Sequence, residues 1–339
     1  MTDFDIKKLV KNLKKEYGSL KIAADEVETK EFISVGNKAL DLSLDGGINL
    51  ESCVEFSGFS QSGKTTLIQI MLANMQKKYN AIGIWLDREN AFFIDRAKFL
   101  GVDTNRTMLF KPVDILTVPD ATIALETTLK KIPDTEYVFI GIDSIAAFDD
   151  TSKSDKAVMG KTAGQLHRLY RRILPYINNR TLFVFANQRT YKPGVMFGDN
   201  TTVTGGEAGK YYTHYRIQLD NGKDIRDENK GGEVVGNWLK AKVIKTRLGP
   251  SMRKVVFQHL FKGSIPYLSG YLRLLVDRNI LEPKNKAEFK AFKQGTILYN
   301  GNKLLESNVN KIIEDFPELN LDIYPEYKPD EEEKEETNE

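Results

Sequence analysis

SCVEFSGFSQSGKTT, residues Ser52 to Thr66, passes from an apolar run through the pattern G-x-x-x-x-G-K-[ST] into a helix-like segment reaching Tyr79. Strand, glycine-bracketed loop and helix, in that order, are the context in which the pattern binds phosphate. Successive backbone N–H groups across Phe59, Ser60, Gln61, Ser62 and Gly63, aided by the helix N-terminus, make an anion cradle that extends to Thr66. Gly58 and Gly63 let the backbone approach a phosphate with no Cβ in the way. Lys64 is spaced to reach β- and γ-phosphates, and the Thr65 hydroxyl to ligate Mg²⁺. A chance match in a glycine-rich turn is the alternative, and the flanking strand and helix count against it.

Two further apolar runs end in acids. YVFIGIDS puts Asp143 at a strand terminus, the edge of an α/β sheet where ligands sit. There it either holds Mg²⁺, through water, or merely caps a helix. AIGIWLDREN delivers Asp87 and Glu89 just past another strand. Glu89 is the candidate to orient and deprotonate an attacking water, or else an ordinary acid of a surface loop.

Outward from this centre, short apolar runs alternate with helical segments: SCVEFSG, a helix to Tyr79; AIGIWLD, a helix to Leu100; a run near Met108, a helix from Ala121 to Ile132; YVFIGID, a helix from Lys161 to Asn178; TLFVFANQ. Apolar strands joined by helix-length crossovers predict an α/β fold with a parallel sheet covered on both faces. HYRIQLD, WLKAKVIKT and RKVVFQHLF, separated by turn residues NGKD and LGPS, predict antiparallel extensions. Ahead of the core, Ile6, Leu9, Val10, Leu13 and Tyr17 share one helical face, to dock on this domain or on a neighbouring subunit. The expected organisation is an N-terminal oligomerisation helix and linker over 1–30, an ATPase core over 31–268, a small C-terminal domain over 269–322 and an acidic tail over 323–339.

The composition is that of a globular chain: 339 residues, 41% hydrophobic and 28% charged. One cysteine, Cys53, and three scattered histidines argue against disulfides and a zinc site, and fit a reducing cytoplasm. No run is long enough to span a membrane, and the Lys-rich start is not signal-like, so no membrane partner is expected. PDEEEKEETNE at the end holds seven acids against one lysine, so the net charge of +2 conceals a basic body of +8. That asymmetry suits a polyanion partner with a competing tail, or only a solubilising tail.

NQRTYKPGVMFGDNTTVTGGEAGKYY, Asn187 to Tyr212, is too rich in Gly, Thr, Asn and Asp for a core element and too long for an idle loop. NQ at a strand end, then GVMFG, a Thr-rich link and a GG pair resemble the second DNA-binding loop of the RecA recombinases. The resemblance continues in ALDLSLDGGI before the phosphate loop, in WLDREN and LGVD after it, in Met159-Gly160 of the first DNA loop, and in VIKTR at Val243 to Arg247. It covers about Glu31 to Gly270 and is closer to the bacterial and phage type. It implies a RecA-like P-loop core, ATP sandwiched between protomers of a helical filament, and single-stranded DNA held along the axis, with double-stranded DNA engaged during strand exchange.

By resemblance, Glu89 is the catalytic base, Gln188 senses the γ-phosphate, and Lys245 and Arg247 reach a neighbour's γ-phosphate as an arginine finger does. The implied DNA surface comprises Met159, Gly160, Lys192, Val195, Met196, Phe197, Thr204, Gly205 and Gly206, with His167, Arg168, Arg171 and Arg172 as a basic stripe on the Lys161 to Asn178 helix. A solvated basic face is the alternative for that stripe. Arg96 stands where the family has an aromatic residue against adenine, and Phe261 offers a ring from the other side. Pro193, Glu207 and Gly164 also depart from the family pattern. The expected function is DNA-stimulated ATP hydrolysis driving homologous pairing and strand exchange, served by a single-strand-binding protein or loading mediator. An accessory mediator with weak turnover and a hexameric helicase-type motor are the other readings.

Overall fold

The structure, a computed structural model, describes residues 5–17, 20, 22–23, 31–149, 155–191, 201–204, 208–247, 249, 251–278, 280–281, 297–299, 302–304 and 309–321. The chain forms two compact units, Met1–Glu31 and Phe32–Glu339. In the first, α1 (Ile6–Leu13) starts where the Asp5 carboxylate accepts from Lys8 N (3.1 Å). It ends short of the expected Tyr17.

The second unit is built on a sheet. Its elements begin with β1 (Phe32–Ile33), α2 (Lys38–Ser43), β2 (Ile48–Asn49), β3 (Ser52–Gly58), α3 (Lys64–Tyr79) and β4 (Ile82–Asp87). They continue with α4 (Ile94–Phe99), β5 (Thr107–Phe110), α5 (Val118–Leu129), β6 (Val138–Asp143), α6 (Asp155–Ile173), β7 (Thr181–Tyr191) and β8 (Thr201–Val203). α7 (Ala208–Tyr212), β9 (Tyr215–Asp227), β10 (Glu233–Lys245), β11 (Lys254–Leu260) and α8 (Tyr271–Asp277) follow; β12 (Ile297–Tyr299), β13 (Asn302–Leu304) and α9 (Val309–Asp315) are the last. The strand order is β11-β10-β9-β3-β7-β6-β4-β5, with β8 antiparallel to the end of β7.

Period-two alternation sends successive side chains to opposite faces. Val54, Phe56, Trp85, Phe139, Leu182 and Val184 pack with Leu67, Met71 and Leu72 of α3, while Cys53, Ile84, Ile140, Phe183 and Phe185 pack with Leu125 of α5 and Leu166 and Leu169 of α6. Both faces are thereby covered, as the unbroken apolar strands require. Tyr271, Leu275, Leu304, Ile312 and Leu319 join the α3-side core.

Several boundaries differ from the sequence reading. α5 begins at Val118, because Thr117 and Asp120 form a capping box three residues ahead of the expected Ala121. α6 begins at Asp155, so Met159 and Gly160 lie in a helix rather than a loop. NGKD is no turn: Asn221–Asp224 lies inside β9, and Gly222 is there because a Cβ would meet the Trp238 carbonyl oxygen of β10 at 2.7 Å. The reversal falls instead at Glu228–Lys230 and Gly231. β9 is also parallel to β3, and only β10 and β11 are antiparallel extensions. The Asn187 to Tyr212 stretch is partly regular, since β7 runs to Tyr191 and Thr201–Val203 pairs back on Arg189, Thr190 and Tyr191.

Candidate active site and nucleic-acid face

The C-terminal ends of β3, β4, β6 and β7 meet at one edge. Register sets Gly58 beside Gln188, Asp87 beside Asp143, and Leu219 on the other flank of Gly58. Gly58 is demanded by space, because a Cβ there would overlap Ser62 Oγ and the Leu219 carbonyl oxygen. Gly63 caps α3 at φ +74°, and the loop between them is the cradle into which a phosphate fits.

Lys64 is largely buried, and its ammonium donates to the carbonyls of Gly58 (3.2 Å) and Phe59 (2.8 Å) and to Ser62 Oγ (3.4 Å). Burial lowers its pKa, opposed by the carboxylates of Asp143 and Glu89. The Thr65 hydroxyl donates to Asp143 Oδ2 (2.6 Å). Burial, reinforced by Glu89 and Asp87, raises the Asp143 carboxyl to about 6, while Thr65 and Lys64 pull the other way. A hydroxyl and one carboxylate, both oxygen donors, fit Mg²⁺, whose shell is ordinarily completed by phosphate and water. Among the described residues, no group of three or more His, Cys, Asp or Glu forms a metal site.

Glu89 is held from two sides. The backbone N–H groups of Arg88 (2.8 Å) and Glu89 (3.2 Å) donate to the Asp143 carbonyl, fixing the turn after β4 against β6. Ser144 Oγ (2.5 Å) and Gln188 Nε2 (3.0 Å) then both donate to Glu89 Oε1. Neither donates to Oε2, which is the oxygen available to a water. Asp87, by contrast, is fully buried, accepts from Ala91 N (2.8 Å) and Phe92 N (3.1 Å), and pairs with Lys111 (3.3 Å). It closes the turn after β4. Ser144 was not singled out by sequence; its only signal is that it follows Asp143.

Arg96 and Phe261 both come near His259. Arg96 donates to the Gly263 carbonyl, and the Phe261 ring lies edge-on to His259 at 5.8 Å between centroids. His259 Nδ1 faces Asn237 Oδ1 (3.3 Å), and its Nε2 faces the Thr66 hydroxyl (3.3 Å). Asn237 has its own Nδ2 directed to Asn221, so its Oδ1 accepts and the imidazole carries its proton on Nδ1. Burial and the Arg96 charge lower the His259 pKa, which keeps that neutral form. No pattern around His259 pointed to this contact, because its partners lie on three separate segments.

Lys245 and Arg247 stand apart from their own phosphate loop. Lys245 pairs with Arg216, at the β9 end that lies beside Glu55, whereas the loop leaves β3 beside Leu219. Three residues of strand, about 10 Å, separate those levels. Lys245 donates to the Lys210 carbonyl (2.9 Å) and Arg247 to the Glu51 carbonyl (3.1 Å), at the sheet edge opposite the cradle.

Of the DNA set, Arg168 and Arg171 are exposed and His167 is half-buried on α6. Arg171 Nε donates to the Tyr212 hydroxyl (3.0 Å) and His167 Nδ1 lies 3.3 Å from it, tying α6 to the helix that follows the hairpin. Arg172 is exposed as well, and its guanidinium pairs with Glu126 of α5 (2.5 Å). Met159 and Gly160 are described by backbone alone. The Thr204 carbonyl accepts from Asn187 Nδ2 (3.1 Å), and the same amide donates to buried Glu55 (2.7 Å), which pairs with Arg216 (2.5 Å). Lys192, Val195, Met196, Phe197, Gly205 and Gly206 lie outside the described residues, as does 323–339.

The RecA N-terminal domain family matches residues 5–266. The chain is 28% identical to Protein RecA of Acinetobacter baylyi over 322 residues, 92% of this chain and 87% of that protein. It is 32% identical to Protein RecA of Bacteroides thetaiotaomicron over 282 residues, 80% of this chain and 82% of that one. Protein RecA of Streptomyces rimosus is 31% identical over 300 residues, 86% of this chain and 75% of its own.

Proposed function

The chain belongs to the RecA family, and from that premise we propose that it is a DNA-dependent ATPase that polymerises on single-stranded DNA and carries out homologous pairing and strand exchange. The observation that carries this reading is the Gln188 side chain on Glu89. One strand, β7, touches Glu89 through Gln188 and enters the hairpin at the next residue, Arg189, so in this reading nucleotide and DNA act on the same backbone.

In this reading the cradle from Gly58 to Thr66 binds the triphosphate of ATP, with Arg96 and Phe261 flanking the base. Thr65 and Asp143 would hold Mg²⁺, which would supply positive charge to offset that of the triphosphate. Glu89 Oε2 accepts the proton of a water whose oxygen bonds to the γ-phosphorus as the bond to the bridging β–γ oxygen breaks. Lys64 offsets the charge that appears on the leaving diphosphate. Lys245 and Arg247 supply cations to the site of the next copy, so turnover follows assembly. His167, Arg168, Arg171 and Arg172 face the DNA backbone, and Met159, Gly160, Lys192, Val195, Met196, Phe197, Thr204, Gly205 and Gly206 supply the remaining contacts. Double-stranded DNA, a single-strand-binding protein or loading mediator, and the cytoplasm complete the setting. Among the described residues, no helix is long and apolar enough to cross a membrane.

ATP turnover with and without single-stranded oligonucleotide, joined to electron microscopy of the products, tests the reading. Stimulated turnover with helical filaments is the expected result. Rings that translocate would favour the motor, and unstimulated monomers the mediator.

A further inference from the structure

The tip of the phosphate loop touches the base of the β7–β8 hairpin directly, by a route separate from Gln188. The Phe59 ring lies 5.1 Å from the Tyr191 ring, tilted by 30°, and the Arg189 guanidinium sits 5.3 Å from the Phe59 centroid on a line over its face. Arg189 is itself fixed, with NH1 on Asp220 Oδ1 (2.5 Å) and NH2 on Thr201 Oγ1 (2.7 Å). Asp220 is braced by Gln218 Nε2 (2.8 Å). Register places Arg189 opposite Val203 and Tyr191 opposite Thr201, so both residues belong to the paired stem of the hairpin. Phe59 thus contacts both a ring and a planar cation of the element that leads to the 192–200 segment.

We propose that Tyr191 and Arg189 are positioning residues that transmit nucleotide binding from the phosphate loop to the DNA-facing hairpin through the Phe59 ring. The inference rests on the ATP and DNA reading above and adds to it a second mechanical link. Its physical basis is competition for one ammonium. Lys64 Nζ donates to the Phe59 carbonyl (2.8 Å), and a triphosphate in the cradle draws on the same N–H donors. The Phe59 peptide then loses its charge-assisted bond and reorients, and the ring, in contact with Tyr191 and Arg189, carries that motion into the stem. Aromatic and cation–π contacts act through the ring face, so the Tyr191 hydroxyl is dispensable.

The test measures affinity for a labelled single-stranded oligonucleotide with no nucleotide, with ADP and with a non-hydrolysable ATP analogue. The unmodified protein is expected to bind more tightly with the analogue. Tyr191→Ala is expected to shrink the ratio between analogue and nucleotide-free affinities by about three- to tenfold, the weight of one aromatic contact. Tyr191→Phe restores the ratio, and DNA-free ATP turnover is unchanged in both. Arg189→Lys keeps a charge for Asp220 but loses the planar contact, and it shrinks the ratio likewise while its melting temperature reports on folding. An unchanged ratio in Tyr191→Ala overturns the link, as does an equal loss of affinity in all three nucleotide states, which would make Tyr191 a plain DNA contact. Absence of any nucleotide effect in the unmodified protein defeats the broader functional reading instead, and the link with it.

Discussion

Glutamine in place of Glu89 isolates the proton transfer from everything else the site does. Ser144 Oγ at 2.5 Å and Gln188 Nε2 at 3.0 Å both donate to Oε1, and Oε2 accepts from neither. In Glu89→Gln the carbonyl oxygen takes the place of Oε1 and keeps both donors. An NH₂ group then stands where Oε2 offered its lone pair. Size and hydrogen-bond geometry are preserved and the residue is exposed, so folding and nucleotide binding are expected to survive. Loss of a general base lowers turnover by about 10²- to 10⁴-fold, equivalent to about 2.7–5.4 kcal/mol of barrier. Steady-state phosphate release with single-stranded DNA should therefore show kcat falling by that factor, with KM moving less than about threefold. Filaments formed with ATP should persist longer. A decline smaller than about tenfold in a protein that still binds ATP would falsify the assignment of Glu89 as the base, and an effect confined to KM would make it a binding group.

Two further outcomes follow from the geometry. Lys64→Ala and Lys245→Ala are each expected to be inactive alone, yet a mixture should regain part of the DNA-stimulated turnover, because an intact cradle from one variant can face an intact Lys245 from the other; no recovery on mixing would place Lys245 outside the shared site. Asp41 links stability to pH: burial raises its carboxyl from 3.8 to about 7 despite hydrogen bonds from Ser34 Oγ and Val35 N. The folded state holds this proton more tightly than the unfolded, so the stabilisation is full below about pH 4 and is lost as pH rises through about 7, about 4 kcal/mol in all. Asp41→Asn should remove that part of the slope in urea unfolding of the nucleotide-free protein between about pH 5 and 8, and identical slopes for parent and variant would refute it.

What could be read along the chain was whatever a few neighbouring residues encode. The phosphate loop, the apolar parallel strands and the helices between them depend on spacings of two to five residues, and all of them stand in the structure, with α6 displaced to Asp155–Ile173 from the expected Lys161 to Asn178. NGKD misled because turn chemistry is local while the close approach of β9 to β10 is not; Gly222 serves the neighbouring strand. Likewise nothing near Arg172 in the chain announced its ion pair with Glu126, 46 positions earlier.

By itself, the order of residues determined the chemistry on offer: a phosphate cradle, an acid after each of two strands, a polar stretch after a third. Tertiary structure decided the surroundings of those acids, turning Asp87 inward to close a turn and setting Glu89 beside Ser144 and Gln188. It also decided the parallel course of β9 and the exile of Lys245 and Arg247 to the far edge of the sheet. The reason is that backbone propensity and side-chain periodicity are written within one turn or strand, whereas partner, register and burial are chosen only when segments more than 50 residues apart compete for the same core.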